Sequence, residues 1–146
     1  MTLKIKSFDQ LSTRELYEIL RLRSEVFIVE QEGCYQDLDG IDYDSLHLFA
    51  EEPDGTVSGC LRIFQKPDEP GTIQLGRIVC RERRTGLGAR LMAEAERVAR
   101  SRYNARELYL TGRKSALAFY LHCGFHPESE ELHAESVPYY KLRRSL

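Results

Sequence analysis

The chain has 146 residues, 42% of them hydrophobic and 30% charged, with 21 Lys and Arg against 23 Asp and Glu and a formal net charge of −2. A chain of this size and mix builds its own core, which excludes disordered, collagen-like and fibrous classes, and its charge supplies no strong field for nucleic acid or anionic lipid. No apolar run approaches the roughly 18 residues of a membrane span, no signal-peptide core opens the sequence, and Cys34, Cys60, Cys80 and Cys123 lack paired spacing. One cytoplasmic domain over residues 1–146 with reduced core thiols is expected, without nucleic-acid or membrane partners.

Residues 3–8 alternate in period two and predict a strand. Ser12 and Glu15 form a capping box, so a helix should start there, with Leu16, Ile19, Leu20, Arg23 and Phe27 near one face. Residues 31–45 are rich in acids and glycine and read as an irregular connection. Residues 46–50 and 56–64 are strand-like and flank the turn chemistry of Pro53, Asp54 and Gly55, which predicts a hairpin. A fourth strand over 72–80 runs into a basic, glycine-bearing turn. A helix follows, with Leu87, Leu91, Met92, Ala95, Val98 and Ala99 on one stripe. Residues 108–110 read as a strand, 115–122 as a short helix closed by Gly124, and 125–132 and 137–142 as final strands. With no repeat or linker, this is one mixed α/β unit.

The turn after the fourth strand carries the chemistry. Free amides at a helix N-terminus converge on an anion and the helix dipole adds about half a positive charge, so a pyrophosphate is stabilised by main chain alone. Gly86 and Gly88 allow close approach, and Arg83 and Arg84 add charge-assisted donors. A P-loop would need Lys after Gly88, where Ala89 stands, and the dinucleotide fingerprint would need Gly at Leu91. The pattern that remains is [RQ]-x-x-G-x-[GA], filled by Arg83 to Gly88.

On these residues the sequence resembles the GNAT family of acetyl-CoA-dependent N-acetyltransferases. A second family block, A-x-x-[FL]-Y-x-x-x-G-F, stands at Ala116, Phe119, Tyr120, Gly124 and Phe125. Within the family, the run from Arg23 to Gln31, then Tyr35, Gln36 and Asp37, Asp39 and Gly40, His47, Gly76 and Arg77, and Pro138 is similar to the small bacterial ElaA-like subgroup. The resemblance implies a GNAT fold over nearly the whole chain: a central, mostly antiparallel sheet of six or seven strands flanked by about four helices. Their order would be a strand, two helices, three strands, helix, strand, helix and two strands.

By the same resemblance the activity is acetyl transfer from acetyl-CoA to a primary amine of a small molecule or peptide, by direct attack in a ternary complex. Ile78, Val79 and Cys80 would hold the pantetheine arm. Arg83, Arg84, Thr85, Gly86, Leu87, Gly88 and Ala89 would hold the pyrophosphate, and Arg113, Ala116 and Phe119 would complete the cofactor side. Tyr120 would act at the leaving sulfur. A phenol has a pKa of about 10 against about 8.5 for a thiol, so Tyr120 is expected to hydrogen-bond to sulfur more than to protonate it fully. An acceptor amine is almost wholly protonated at neutral pH, yet Thr72 stands where some members carry a Glu base. Glu30, His47 and ordered water remain as candidates, with pairing to a cation such as Arg23 the bland reading of Glu30 and a buried structural imidazole that of His47. A non-catalytic acyl-CoA sensor on the same fold is the alternative.

The remaining signals are weaker. Gly124 separates His122 from His126 and spoils a metal pair, and the acidic run from Asp37 to Asp42 lacks the Glu that a calcium loop needs at its twelfth position, so no metal is expected. That run reads as a turn or as an acidic rim attracting a cationic amine. The segment around Val137 to Tyr140 is a candidate dimer edge.

Overall fold

A computed structural model describes residues 1–146. Its first helix, α1 (Thr13–Arg23), begins as the capping box requires: the Glu15 amide donates to Ser12 Oγ and the Ser12 amide to Glu15 Oε1. Glu15 also receives Lys4 and Lys6 from strand β1 (Thr2–Ser7), which ties helix to sheet. The helix then widens into a π-helical turn, Ser24–Glu30, closed by the Gln31 amide on the Val26 carbonyl. This turn replaces the expected second helix. The buried stripe runs through Ile19, Leu22 and Val26, at ordinary helical spacing, and leaves Leu16, Leu20 and Phe27 half-buried.

The remaining strands are β2 (Leu46–Glu51), β3 (Val57–Gln65), β4 (Thr72–Cys80), β5 (Glu107–Arg113), β6 (His126–Pro127), β7 (Leu132–Ala134) and β8 (Val137–Ser145). They form one sheet in the order β1-β2-β3-β4-β5-β8-β6, with β7 on β8. The predicted strand over 125–132 is therefore two short strands. Only β4 and β5 run parallel, because α2 (Leu87–Tyr103) crosses between them. A third helix, α3 (Leu117–His122), follows β5, so three α-helices flank the sheet instead of about four. Leu48, Leu61, Ile73 and Leu75 pack on Leu91, Met92, Ala95, Val98 and Ala99 of α2. On the other face Phe49, Cys60 and Val79 pack on Ile19, Leu22 and Val26.

Two irregularities in β4 shape the molecule. Residues Arg77 and Ile78 stand opposite Leu61 alone, a bulge with Arg77 at φ +50°. The extra residue changes the parity, so Leu75 faces α2 while Val79 faces α1. Second, β4 pairs with β5 only from Thr72 to Gln74, after which the strands part and β5 continues against β8. Beyond Gln74 this edge of β4 has no partner strand.

Acid stability follows from the carboxylates. Burial alone would raise the Glu15 pKa, but the Ser12 amide and the Lys6 and Lys4 ammoniums outweigh it and hold it at about 2. Hydrogen bonds from Arg62 bring Asp39 to about 2 as well, against opposing burial. Both values are depressed below the usual carboxylate range of about 4, so the unfolded chain binds protons first. Their contribution is complete above pH about 4 and disappears toward pH 2, of the order of 3 kcal/mol after solvent screening. Chemical denaturation across this range should show that fall, flattened in Asp39→Asn.

Candidate active site

The cleft opens where β4 and β5 part, with a volume of about 860 Å³. At one end the turn after β4 delivers the N-terminus of α2. Gly86 caps that helix at φ +83°, where only glycine is unstrained, and no acidic residue occupies the first turn. The first intrahelical bond is donated by the Arg90 amide to the Gly86 carbonyl, so the amides before it are not consumed by the helix; Leu87's donates to Thr85 Oγ1 at 3.4 Å, and those of Gly88 and Ala89 remain free. A Cβ on Gly88 would sit 3.2 Å from Phe119, so its absence keeps α3 close to this terminus. Arg83 and Arg84 line the same end.

Tyr120 of α3 stands at mid-cleft. Its ring is 7% exposed, edge-on to Phe119 at 5.4 Å and to Phe125 at 6.4 Å. Gly112 gives it room, because a Cβ there would lie 2.5 Å from Tyr120 Cε2. Burial, with smaller effects of Cys123 and Cys80, pushes the phenol up to about 12. Tyr120 is thus a protonated donor throughout the physiological range.

The other end is built from side chains. Arg23, 1% exposed, donates from Nε to Asp37 Oδ2 at 3.0 Å and from Nη1 to Asp42 Oδ1 at 2.7 Å. Arg62 on β3 donates to Asp39 at 2.7 and 2.8 Å and to Asp42 at 3.2 Å. Arg77, turned by the bulge, donates to the Asp37 carbonyl at 3.0 Å and lies over the Tyr35 ring at 5.6 Å. Its Nε is 2.8 Å from Asp37 Oδ1 but off the hydrogen-bonding direction, which leaves both atoms unbonded. Arg62, Arg77 and Tyr35 line the cleft.

Residues 13–125 match the Acetyltransferase (GNAT) family. The chain belongs to that family. Within it, the chain is ElaA-like: it is 30% identical to Protein ElaA of Escherichia coli over 142 residues, covering 94% of this chain and 92% of that protein. A UPF0039 protein of Schizosaccharomyces pombe is also 30% identical, over 97% of this chain and 95% of its own. Among solved structures, an acyl-CoA N-acyltransferase from Pseudomonas aeruginosa superposes with a TM-score of 0.90 at 33% identity, covering 99% of this chain and all of that one. The crystal structure of Escherichia coli ElaA gives the same score at 28% identity, over 99% of both chains.

Against this GNAT frame, Ile78, Val79, Cys80, Arg83, Arg84, Thr85, Gly86, Gly88, Ala89, Arg113, Ala116, Phe119 and Tyr120 all line the cleft. Leu87 does not: its side chain packs into the core beside Gly59, leaving only its amide at the turn. Arg113 lies at the far end of β5, close enough to Tyr35 to act on it: burial pushes that phenol up against the opposing charges of Arg77 and Arg113. Glu30 is outside the lining and pairs with Arg83 at 3.2 Å across an exposed surface; Arg23 instead takes the buried aspartates. His47 is buried and bonds through Nε2 to the Asp42 carbonyl at 2.9 Å, with its pKa lowered by burial, a neutral structural imidazole. Thr72 is buried too, and Cys34 is exposed, unlike the core thiol expected. The acidic run forms no rim, because Asp37, Asp39 and Asp42 are turned into the arginine network. Gln31, Phe64 and Gln74 line the cleft without having been foreseen.

Proposed function

We propose that the chain is an N-acetyltransferase that passes the acetyl group of acetyl-CoA to a primary amine of a small molecule or peptide within a ternary complex. The observation that carries this reading is the junction of the parted β4 edge, the free amides of the α2 N-terminus and Tyr120 in one cleft. The α2 terminus with Arg83 and Arg84 suits the diphosphate, and main chain from Ile78 to Cys80 suits the pantetheine amides. The amine nitrogen attacks the thioester carbonyl carbon, the C–S bond breaks, and the departing sulfur takes the electron pair. A strand amide near Ile78 stabilises charge on the carbonyl oxygen, worth about 3 kcal/mol for donors of this kind.

Tyr120 donates a hydrogen bond to the leaving sulfur. With the phenol near 12 and a thiol near 8.5, full proton transfer is uphill by roughly 5 kcal/mol, so the thiolate leaves hydrogen-bonded and is protonated from solvent. Burial raises the Cys80 and Cys123 thiols, which argues for direct transfer over an acyl-cysteine relay. The carboxylates at the amine end are all paired with arginines and none lines the cleft, and that favours a second reading, a protein that holds acyl-CoA without transferring it.

Thiol release from acetyl-CoA over an amine panel decides between them. Release with at least one amine, lowered about 10- to 100-fold in kcat by Tyr120→Phe with CoA affinity nearly intact, is the expected result. CoA binding without release leaves the sensor, and no CoA binding removes both. Because the phenol stays protonated, kcat should show no Tyr120-dependent fall up to pH 10.

A further inference from the structure

The end of the cleft away from the phosphate turn is lined by Arg62, Arg77 and Arg113 and by no carboxylate; Glu82, at the turn itself, is the acidic residue of the whole lining. The charges of Arg23, Arg62 and Arg77 are matched by Asp37, Asp39 and Asp42. Arg113 stands outside that balance and leaves one net positive charge facing the space.

Three side chains lining this cleft carry an orphaned polar atom, Gln31, Arg62 and Arg77, and only that of Arg77 stands close to a carboxylate, Asp37. Arg62 is 4% exposed, yet its Nε has no hydrogen-bond partner, and neither has Gln31 Oε1. Buried groups of this kind are normally satisfied, so each points to a missing partner: an acceptor for Arg62 and a donor for Gln31. Gly76, paired with Arg62 across β3 and β4, keeps the place open. A Cβ on it would meet Arg62 Nε at 3.5 Å and Phe64 at 3.8 Å, ordinary contacts, so space and not backbone conformation is what the glycine provides.

We propose that this arm takes an amine that also carries a carboxylate, with the carboxylate held by Arg113 and the Arg62 edge and the amine presented toward Ile78. The proposal rests on the acetyl-transfer reading for its reaction, though not for its binding. A lone surplus charge suits a monoanion, and the guanidinium fork suits a carboxylate. The same arginines disfavour a bound ammonium, which eases loss of the amine proton where no base stands. Diamines and other purely cationic acceptors are correspondingly disfavoured.

Isothermal titration of the protein, with and without CoA, tests this using α-amino acids and ω-amino acids of two to six carbons, their carboxamides, and the matching diamines. At least one acid should bind about ten-fold or more tighter than its carboxamide, with the diamine weakest, and Arg113→Gln should bring the acid-to-amide ratio near 1. Amide or diamine binding as tight as the acid, no acid binding at all, or a ratio unchanged in Arg113→Gln overturns the proposal. Thiol release reads the transferase separately: acid-selective binding without release sinks the transferase and leaves the pocket assignment standing, whereas release with a diamine-preferring profile does the reverse.

Discussion

Asp42→Ala will destabilise the fold by about 3–5 kcal/mol, far more than an ordinary surface ion pair warrants. Asp42 accepts from Arg23 at 2.7 and 3.2 Å and from Arg62 at 3.2 Å, with both guanidiniums almost wholly buried. Removing it strands cationic charge in a medium that solvates it poorly, and Asp37 can answer only part of that. The loss is the penalty for an uncompensated buried charge, so Asp42→Asn, which keeps acceptor geometry without charge, should fall between wild type and Asp42→Ala. Urea unfolding at neutral pH with an unchanged m-value is the measurement. A loss below about 1 kcal/mol would show that the network is solvated in solution.

Gly112→Ala should lower kcat/KM by about 100-fold, at the upper end of the effect of Tyr120→Phe, although the added methyl brings neither charge nor hydrogen-bonding group. Gly112 has an ordinary backbone conformation, so alanine is not strained there; the added carbon falls 2.5 and 2.8 Å from two atoms of the Tyr120 ring and 3.1 Å from Leu142. Strand β5 is held against β8 along its length and cannot retreat, so the ring must move toward the space proposed for the pantetheine arm. Overpacking of this kind costs about 1–3 kcal/mol in stability. The distinguishing result is weakened CoA binding in Gly112→Ala beside near-native binding in Tyr120→Phe. Equal CoA affinity in both would place the arm elsewhere.

The end of the cleft at the α2 turn, which the proposal gives to the cofactor, has a geometry that was legible because it depends on local signals. Gly86 and Gly88 between an apolar strand and an amphipathic helix state a turn, a cap and an anion-facing terminus within six residues, and Ala116 to Tyr120 lie in a second short block. The opposite end, proposed for the acceptor, depends on partners far apart in the chain. Arg62 meets Asp39 across 23 positions and Arg77 meets Asp37 across 40, and no period or capping rule links them. A signal was present all the same: Arg23, Asp37, Asp39, His47 and Arg77 all belong to the residues that resemble the ElaA-like subgroup, and in the structure they form or brace one ionic network.

The strand bulge and the π-helical turn escaped for another reason. Each inserts one residue into a regular ladder, which costs little locally and is stabilised by packing that only the assembled sheet provides. Thr72 and the absent base were visible at once, yet the answer proposed above, guanidiniums that discourage a proton on the amine, required knowing that Arg62, Arg77 and Arg113 line one cleft.

The two ends of the cleft are made of different material. One is faced largely with peptide groups, which every residue type but proline supplies, so mutation outside Gly86, Gly88 and the two arginines can rewrite the codons beneath it and leave that surface the same unless a new side chain intrudes. The other is faced with the tips of a few long side chains, where one base change swaps the chemistry on display. Descendants of such a scaffold can therefore keep one handle unchanged while trading what they accept at the opposite end, one residue at a time.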